Sequence, residues 1–408
     1  MSDASSNVLE DGDLLIEILL RVGSPTTLVR AAIVCKRWYH HACDPRFLHR
    51  FHEHNPPRLL GFYFQSMRAH TAPRFFPMLP QPAELASVIP HESFSLESYH
   101  NSFVMDCRNG RVLIWYNSGT YQTLQVQSFL RAGRGMAIIP ELPRYNDGSY
   151  CAYSRILSDE KGKGLSYLYL LVQPNWESME STVRVHVLQD GVWSMHTSVV
   201  CQLIHPGSKI YPVAIQNKIY IGSFTYIIVL DLMLSCLSTI QLPKGVDFGD
   251  RRTVLSRTDD SSGVYLIHVT ELRLHIWLHN SDNWLLVGII CLREKFSNLR
   301  MLDHTFDDDC TADVHIRGVG DNAAFVFLTT GRCVLFLDIK CSTLRKVHEM
   351  TNDDMSINDI YPFMMIWPPT FPELKNDPAR FVLSTLDDIC IKLLLRLHLF
   401  ALCTALIF

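Results

Sequence analysis

The sequence predicts an α+β multidomain protein, in which a small N-terminal three-helix module precedes an all-β propeller of six or seven blades. Two observations support this prediction, and a third marks a separate C-terminal stretch. Apolar residues recur at three- and four-residue steps over residues 9–51, and strand-like runs recur at a blade-sized period over residues 55–378. Residues 379–408 are strongly apolar. These three stretches are the predicted domains.

Length and charge limit the class of protein. The 408 residues correspond to two or three domains of about 150 residues, which allows a large core without disulfides. Hydrophobic residues make up 48% and charged residues 19%, as in a folded chain. Because a nucleic-acid binder needs a basic face, the net charge of −4 and the lack of Lys/Arg runs argue against nucleic acid as a partner.

The twelve cysteines are spaced like free thiols. None belongs to a Cys-x-x-Cys pair, and the closest pairs, such as Cys35 and Cys43, are eight positions apart. That spacing excludes zinc-knuckle sites. Since residues 1–13 also lack the regions of a secretory signal, we expect a reducing compartment, the cytoplasm or the nucleus.

The first stretch carries start and stop signals for three helices. Asp11 places negative charge at the start of the first helix. Ser24 and Pro25 begin the second helix as an N-cap followed by proline at the first helical position, and Asp44-Pro45 ends it. A short third helix follows. Three short helices make a poor independent core, so part of their apolar surface is expected to bind a partner.

These residues resemble an F-box. The resemblance covers about forty residues in the order and spacing of that family: Leu14–Val22, Ser24–Ala32, Val34–Trp38 and Asp44–Phe47. It implies that the helices bind a Skp-type adaptor, which a cullin holds in turn, and that the chain is the substrate-receptor subunit of an SCF-type ubiquitin ligase. The adaptor-binding residues implied by the resemblance are Leu14, Leu15, Ile18, Leu19, Pro25, Leu28, Val34, Cys35 and Trp38.

The stretch departs from the family pattern at its two prolines. The Leu-Pro that precedes the first F-box helix falls on Glu10-Asp11, and Gly23 replaces the second proline. Glycine keeps backbone entropy that binding must remove, at about 0.5–1 kcal/mol, so we expect weakened adaptor binding. In the alternative interpretation, the apolar residues form only a structural cap on the following domain.

Residues 55–378 have the composition of an all-β region, with Val, Ile, Tyr, Phe and Leu between turn residues. A turn-then-strand unit recurs roughly every 45–60 residues, at Asn109-Gly110, Gly164, Asn217, Gly263 and 320–322. Within a repeat, the third strand ends in Leu-Asp. Three or four antiparallel strands per repeat are typical of kelch-like propeller blades, and about 320 residues then give six or seven blades.

The β-rich region also resembles the propeller-like domain that accompanies many plant F-boxes. The matching pieces are Leu59–Phe64, Val104–Trp115 and Ile360–Met364. The resemblance implies that the propeller holds a target protein for ubiquitination. The double glycine of kelch repeats is missing from these pieces.

Residues 379–408 fit neither pattern. Asp388, Lys392 and Arg396 step by four along a predicted helix, and almost every residue from Leu397 onward is apolar. Three interpretations stay open: a helix packed on the propeller or a partner, a tail that is not native to the chain, and a tail anchor. The charges argue against a membrane anchor, which needs about 20 apolar residues.

No catalytic motif has the partners that it needs. His304, the aspartates at 307–309 and Cys310 are the densest group of metal-ligand types, but three adjacent carboxylates lack the alternating spacing of a cation site and predict a solvated loop. The sequence therefore predicts no catalytic residue, no cofactor and no metal. Tryptophans spread over the repeats are predicted to pack between blades: Trp115, Trp193, Trp277, Trp284 and Trp367.

Two functions from different classes follow. The first is a non-catalytic substrate receptor of a ubiquitin ligase, which holds an unidentified target protein. The second is a stand-alone propeller that binds a small ligand or a carbohydrate, with the helices as a structural cap. Fold alone does not name the ligand of a propeller, because its loops vary independently of the scaffold.

Overall fold

The computed structural model describes residues 11–66, 72–80, 94–117, 122–130, 135–143, 153–161, 164–202, 212–258, 262–280, 283–299, 313–351, 357–369 and 371. They form two units, an all-β unit, Leu59–Met364, and a helical unit of 11–58 with 365–369 and 371. The predicted α+β multidomain class is confirmed. The group at 304–310 and the tail at 379–408 lie outside the described residues.

The helical unit contains four helices: α1 (Gly12–Leu20), α2 (Pro25–Ala32), α3 (Lys36–Cys43) and α4 (Pro45–His54). Three of them begin at a side-chain N-cap, of which the sequence predicts the one at Ser24. Backbone N–H groups of the first turns donate to Asp11, Ser24 and Asp44 at 2.8–3.3 Å. Such caps satisfy donors that a helix start leaves without an internal acceptor.

The predicted second helix is divided in two, which gives four helices rather than three. Cys35 has extended backbone angles, φ −155° and ψ 164°, and interrupts the helix. Before it, the Val34 N–H donates to the Ala31 carbonyl at 3.2 Å, in a 3₁₀-type turn. Two β-branched residues, Ile33 and Val34, stand at this position and are weak helix formers.

The core of the helical unit includes residues that follow the propeller in the chain. Leu15, Leu19, Leu28 and Phe51 are fully buried together. Trp367 stacks on Phe51 with ring centroids 6.0 Å apart and an interplanar angle of 5°. The prediction that Trp367 packs between blades is therefore wrong, because the chain returns to the helices after the propeller.

The all-β unit is a propeller of six blades, each a small antiparallel sheet. Blade 1 combines β1 (Leu59–Ser66) and β2 (Arg74–Pro77) with the last strand among the described residues, β23 (Ile357–Met364). Blade 2 contains β3 (Ser102–Arg108), β4 (Arg111–Asn117), β5 (Gln122–Ser128) and β6 (Gly135–Ile139). Blade 3 contains β7 (Tyr153–Lys161), β8 (Gly164–Asn175), β9 (Glu180–Gln189) and β10 (Val192–Gln202).

The remaining three blades have four strands each. Blade 4 contains β11 (Val213–Ile215), β12 (Lys218–Gly222), β13 (Tyr226–Asp231) and β14 (Cys236–Gln241). Blade 5 contains β15 (Thr253–Arg257), β16 (Val264–Thr270), β17 (Arg273–Asn280) and β18 (Asn283–Cys291), followed by helix α5 (Leu292–Asn298). Blade 6 contains β19 (His315–Val319), β20 (Phe325–Thr330), β21 (Cys333–Asp338) and β22 (Thr343–Glu349).

The innermost strands of the blades form a closed ring. In order these strands are β23, β3, β7, β11, β15 and β19, each contacts the next, and β19 contacts β23. Blade 1 takes its two other strands from the start of the propeller, with Leu59 opposite Met364. Pairing of the first and last strands removes the free edge that an open array would expose.

The Leu-Asp at the end of the third strand has a structural reason. In blade 4 the Asp231 carboxylate accepts the N–H groups of Met233 and Leu234 at 2.9 and 3.0 Å. In blade 6 the Asp338 carboxylate accepts the Cys341 N–H at 2.8 Å. The repeated aspartate thus caps the turn between the third and fourth strands, as Asx turns do.

Apolar clusters fill the spaces between consecutive blades, from blades 2 and 3 around to blades 6 and 1. Two of the predicted tryptophans join their blade to the preceding one. The indole N–H of Trp193 donates to the Pro140 carbonyl at 3.0 Å, and that of Trp284 donates to the Gln241 carbonyl at 2.7 Å. For these two residues the predicted role between blades is confirmed.

We expect the propeller to lose stability as pH falls from about 6.5 to about 4, because His268 is buried as a neutral base. Burial lowers its pKa from 6.5 to about 4, with smaller contributions from neighbouring charges, and its Nδ1 lies 2.8 Å from Thr253 Oγ1. Between these pH values His268 is protonated in the unfolded chain but stays neutral in the folded chain, so a fall in pH favours unfolding. Urea unfolding at several pH values measures this effect, and the variant His268→Gln should show a shallower loss.

Candidate functional site

The structure divides the nine predicted adaptor-binding residues into two groups. One group is buried in the core of the helical unit: Leu15, Leu19, Pro25, Leu28 and Trp38. Their side chains hold the helices together. They would affect adaptor binding only by maintaining the shape of the helical unit. The other group is at least partly accessible: Leu14, Ile18, Val34 and Cys35. Adaptor contact stays a prediction for all nine.

Two large aliphatic side chains are exposed on the described part of the helical unit. Leu14 is 45% exposed in α1, and Ile33 is 58% exposed at the end of α2. The predicted adaptor-binding residues include Leu14 but not Ile33, which is the C-cap residue of α2. The β-branched pair Ile33-Val34 is the sequence signal that marks this end.

A second candidate site is the channel that the innermost strands enclose. It contains a cavity of about 190 Å³. Its wall includes charged side chains contributed by four different blades: Asp106, Arg108, Arg257, Arg317, Asp321 and Asp359. The group combines residues from distant parts of the chain, which explains why the sequence does not reveal it.

The most buried charge in the channel wall is Asp359 on β23, which is 2% exposed. Its carboxylate lies 3.2 Å from Arg251 Nη1 and 3.5 Å from Arg155 Nη2. The guanidinium of Arg155 also bonds the phenol groups of Tyr153 and Tyr361. Burial, first of all, raises the pKa of both phenols, so they stay neutral. Asp359 is therefore held between two cations.

The pKa of Arg251 is shifted by burial and by the charges around it. Burial is the largest cause that lowers its pKa, to about 10, and the charge of Asp359 opposes this shift. The positive charges of Arg317 and Arg155 lower it further. The surroundings of Arg251 thus combine several cations with one carboxylate in a partly dry site.

The other two carboxylates of the channel are also held by donors. Asp321 follows β19 in the turn Asp321–Ala323 and contacts Arg257 Nη2 at 2.6 Å and Arg108 Nη2 at 3.4 Å. Burial would raise its pKa, but the two guanidinium groups hold the pKa below the usual value. Asp106 accepts the backbone N–H of Ser158 at 3.1 Å and also its hydroxyl. These bonds link blades 2, 3, 5 and 6 across the channel.

Metal sites and membrane-spanning helices are both absent from the part of the chain that the structure describes. There, no cluster of three or more His, Cys, Asp or Glu side chains has the arrangement of a metal site. No helix among the same residues has the length and apolarity to span a membrane.

Known solved structures resemble the chain only loosely. A GH93 α-L-arabinofuranosidase of Fusarium graminearum is 10% identical, with 61% of this chain and 81% of that chain covered at a TM-score of 0.36. An uncharacterised protein of Listeria monocytogenes is 11% identical, with 61% and 82% covered at a TM-score of 0.33. At these scores neither bears on function. No curated protein matches the sequence significantly.

Two sequence families match the chain. The F-box-like family matches residues 13–54, which contain the four helices. The family described as F-box protein AT5G49610-like, beta-propeller, matches residues 103–371, about two thirds of the chain. Together they confirm the F-box and propeller resemblances that the sequence predicts. The chain therefore belongs to the family of F-box proteins that carry an AT5G49610-like β-propeller.

Proposed function

We propose that the chain is the substrate-receptor subunit of an SCF-type ubiquitin ligase. The observation that carries this proposal is the presence in one chain of an F-box-like helical unit and a closed propeller. The helical unit binds a Skp-type adaptor, which is held by a cullin, and the propeller binds the target protein. The target itself is not identified by this argument.

In this role the chain is not an enzyme. A ubiquitin-conjugating enzyme brought by the cullin performs the transfer, and the receptor raises the local concentration of target lysines near it. Tethering of this kind gives effective concentrations in the millimolar range without an active site. The compartment we infer is the cytoplasm or the nucleus, in agreement with eight free cysteines among the described residues.

Adaptor binding is tested best with exposed residues, because their replacement leaves the helical core intact. We expect the double variant Leu14→Asp and Ile33→Asp to bind a purified Skp-type adaptor at least tenfold more weakly than the native chain, since both charges would have to be desolvated at an apolar interface. Biolayer interferometry with the full chain measures the dissociation constants.

The matched control is the double variant Met233→Asp and Leu234→Asp, which adds the same two charges in place of apolar side chains that are 72% and 74% exposed in a propeller turn. This variant should bind the adaptor like the native chain. If the native chain shows no saturable binding, the proposal fails in its main step. If the control loses as much affinity as the double variant, the exposed face of the helices is not the binding surface.

The second candidate function, a propeller that binds a small ligand, is favoured by one observation, the charged cavity in the channel. The two functions are compatible, because the helices and the channel belong to different units. An adaptor that does not bind, together with a small ligand that does, would leave only the second.

A further inference from the structure

We propose that the propeller associates with a second copy of itself through the outer strand of blade 5, β18. The contact surface, called the β18 patch below, consists of Leu285, Leu286, Val287 and Ile289. Both copies present the same patch, and a two-fold axis near Val287 relates them. This association belongs to the propeller and does not depend on adaptor binding.

The β18 patch is apolar and accessible. Its four side chains are between 45% and 62% exposed. Residues 285–287 are the longest run of consecutive exposed large apolar side chains among the described residues. Clustered apolar side chains on the surface of a folded protein are typical of a contact with another molecule. The patch therefore indicates an interaction surface at the rim of the propeller.

A β-bulge explains why the exposed residues are consecutive. In a regular strand, neighbouring side chains point to opposite faces of the sheet. The pairing of β18 with β17 shifts within this stretch, because Gly288 lies opposite Ile276 while Leu286 lies opposite Trp277. Val287 is the extra residue between them. The bulge thus adds one apolar side chain to the exposed run.

The position of β18 leaves the patch open to a partner. The strand stands at the end of its four-stranded sheet, and its neighbour in that sheet is β17. A bulge in an edge strand interrupts the ladder that an added strand would need. We therefore expect the second copy to pack through side chains and not to extend the sheet.

The charge pattern of β18 favours a second copy as the occupant. Near a two-fold axis each residue lies close to its own counterpart, so a charged residue there would meet a like charge. β18 contains no charged residue in its nine positions, Asn283–Cys291. The corresponding strand of blade 6, β22, carries Arg345, Lys346 and Glu349. A two-fold contact through β18 thus avoids a repulsion that the same contact through β22 would suffer.

Antiparallel packing also matches the patch with itself. A two-fold axis perpendicular to the strand at Val287 brings Leu285 of one copy near Ile289 of the partner subunit. Leu286 then lies near Gly288 of the partner subunit, where the missing side chain leaves room for a leucine. Each aliphatic side chain of the patch therefore meets an apolar or a small residue.

The size of the patch sets the strength of the dimer. A stable interface buries about 800 Å² on each partner, which is more than four half-exposed aliphatic side chains supply. We therefore expect a weak dimer with a dissociation constant on the order of 10 μM. Such a dimer forms and dissociates with protein concentration.

Sedimentation equilibrium of the full chain measures this association. The average mass should rise with concentration from the 46.8 kDa of one chain toward twice that value. Val287→Glu should weaken the association at least tenfold, because two carboxylates then meet near the axis. The matched control is Val200→Glu, which adds the same charge at a valine that is 57% exposed on β10 of blade 3. It should associate like the native chain.

A charge exchange at Val287 tests the two-fold axis directly. Val287→Lys alone should also weaken the association, because two ammonium groups then meet. An equimolar mixture of Val287→Glu and Val287→Lys should regain it, because each dimer then pairs opposite charges. Recovery on mixing also shows that neither variant lost its association by misfolding.

Four results would overturn the proposal. The native chain could keep the mass of one chain at every concentration, as it would if the patch holds a different protein. Val287→Glu could associate like the native chain, which would place the contact elsewhere. The control Val200→Glu could lose as much association as Val287→Glu, or the mixture could associate no more than its components. Adaptor binding by the native chain is measured separately, so none of these results bears on the proposed function.

Discussion

The variant Asp359→Asn is expected to lower the free energy of unfolding of the propeller by about 3 kcal/mol. The substitution keeps the shape of the side chain but removes the charge that lies between Arg251 and Arg155. Both guanidiniums are more than three-quarters buried, so they would remain as desolvated cations that repel each other. Urea unfolding followed by tryptophan fluorescence measures the change.

Asp313→Asn is the matched control for this substitution. Its carboxylate also contacts an arginine, Arg252, at 3.4 Å, but it is 68% exposed. Water screens such a pair, so we expect a change of no more than about 0.5 kcal/mol. Equal effects of the two substitutions would show that the charge of Asp359 does not stabilise the buried guanidiniums of Arg251 and Arg155.

A buried charge in the helical unit should have an even larger local effect. In Leu19→Asp, a carboxylate replaces a side chain that has no exposed surface. The free-energy cost of burying an unpaired charge exceeds the folding free energy of a unit of four short helices. We expect amides of residues 12–54 to lose protection in hydrogen exchange, with loss of adaptor binding as a consequence. Strands β20 and β21 of the propeller should stay protected.

Ile33→Asp places the same charge at a position that is 58% exposed and should leave the protection of residues 12–54 unchanged. The pair of variants separates two causes of lost binding, an unfolded unit and an altered surface. Retained protection in Leu19→Asp would mean that the helices tolerate a charge in their core, which contradicts the packing described above.

Local features of the fold could be predicted because their causes lie within a few residues. Ser24 caps α2 through a backbone N–H three positions away, and the recurrent Leu-Asp ends at Asp231, whose carboxylate accepts N–H groups two and three positions on. Blade-sized periodicity works for the same reason, since each blade repeats a local order of strands and turns. These signals gave the right domain types and a blade number within one.

Structural features that depend on residues far apart in the chain could not be predicted from the sequence. Strand β23 pairs with β1, although almost the whole sequence of the propeller lies between them. Trp367 packs on Phe51, although the propeller separates the two residues in the sequence. The channel charges come from different blades, so no spacing relates Arg317 to Asp359 or Arg108. For the helices, spacing identified apolar residues but did not separate core from surface, because α1 is apolar on nearly every side.

The position of β23 also has a consequence for biosynthesis. Because the innermost strand of blade 1 follows those of the other five blades in the chain, these five blades emerge from the ribosome while the ring is still open. Until residues 357–364 appear, β1 presents an unpaired edge to other nascent chains and to chaperones. A transcript that ends before this strand would encode an open array, with both a free edge and a helical unit that lacks Trp367.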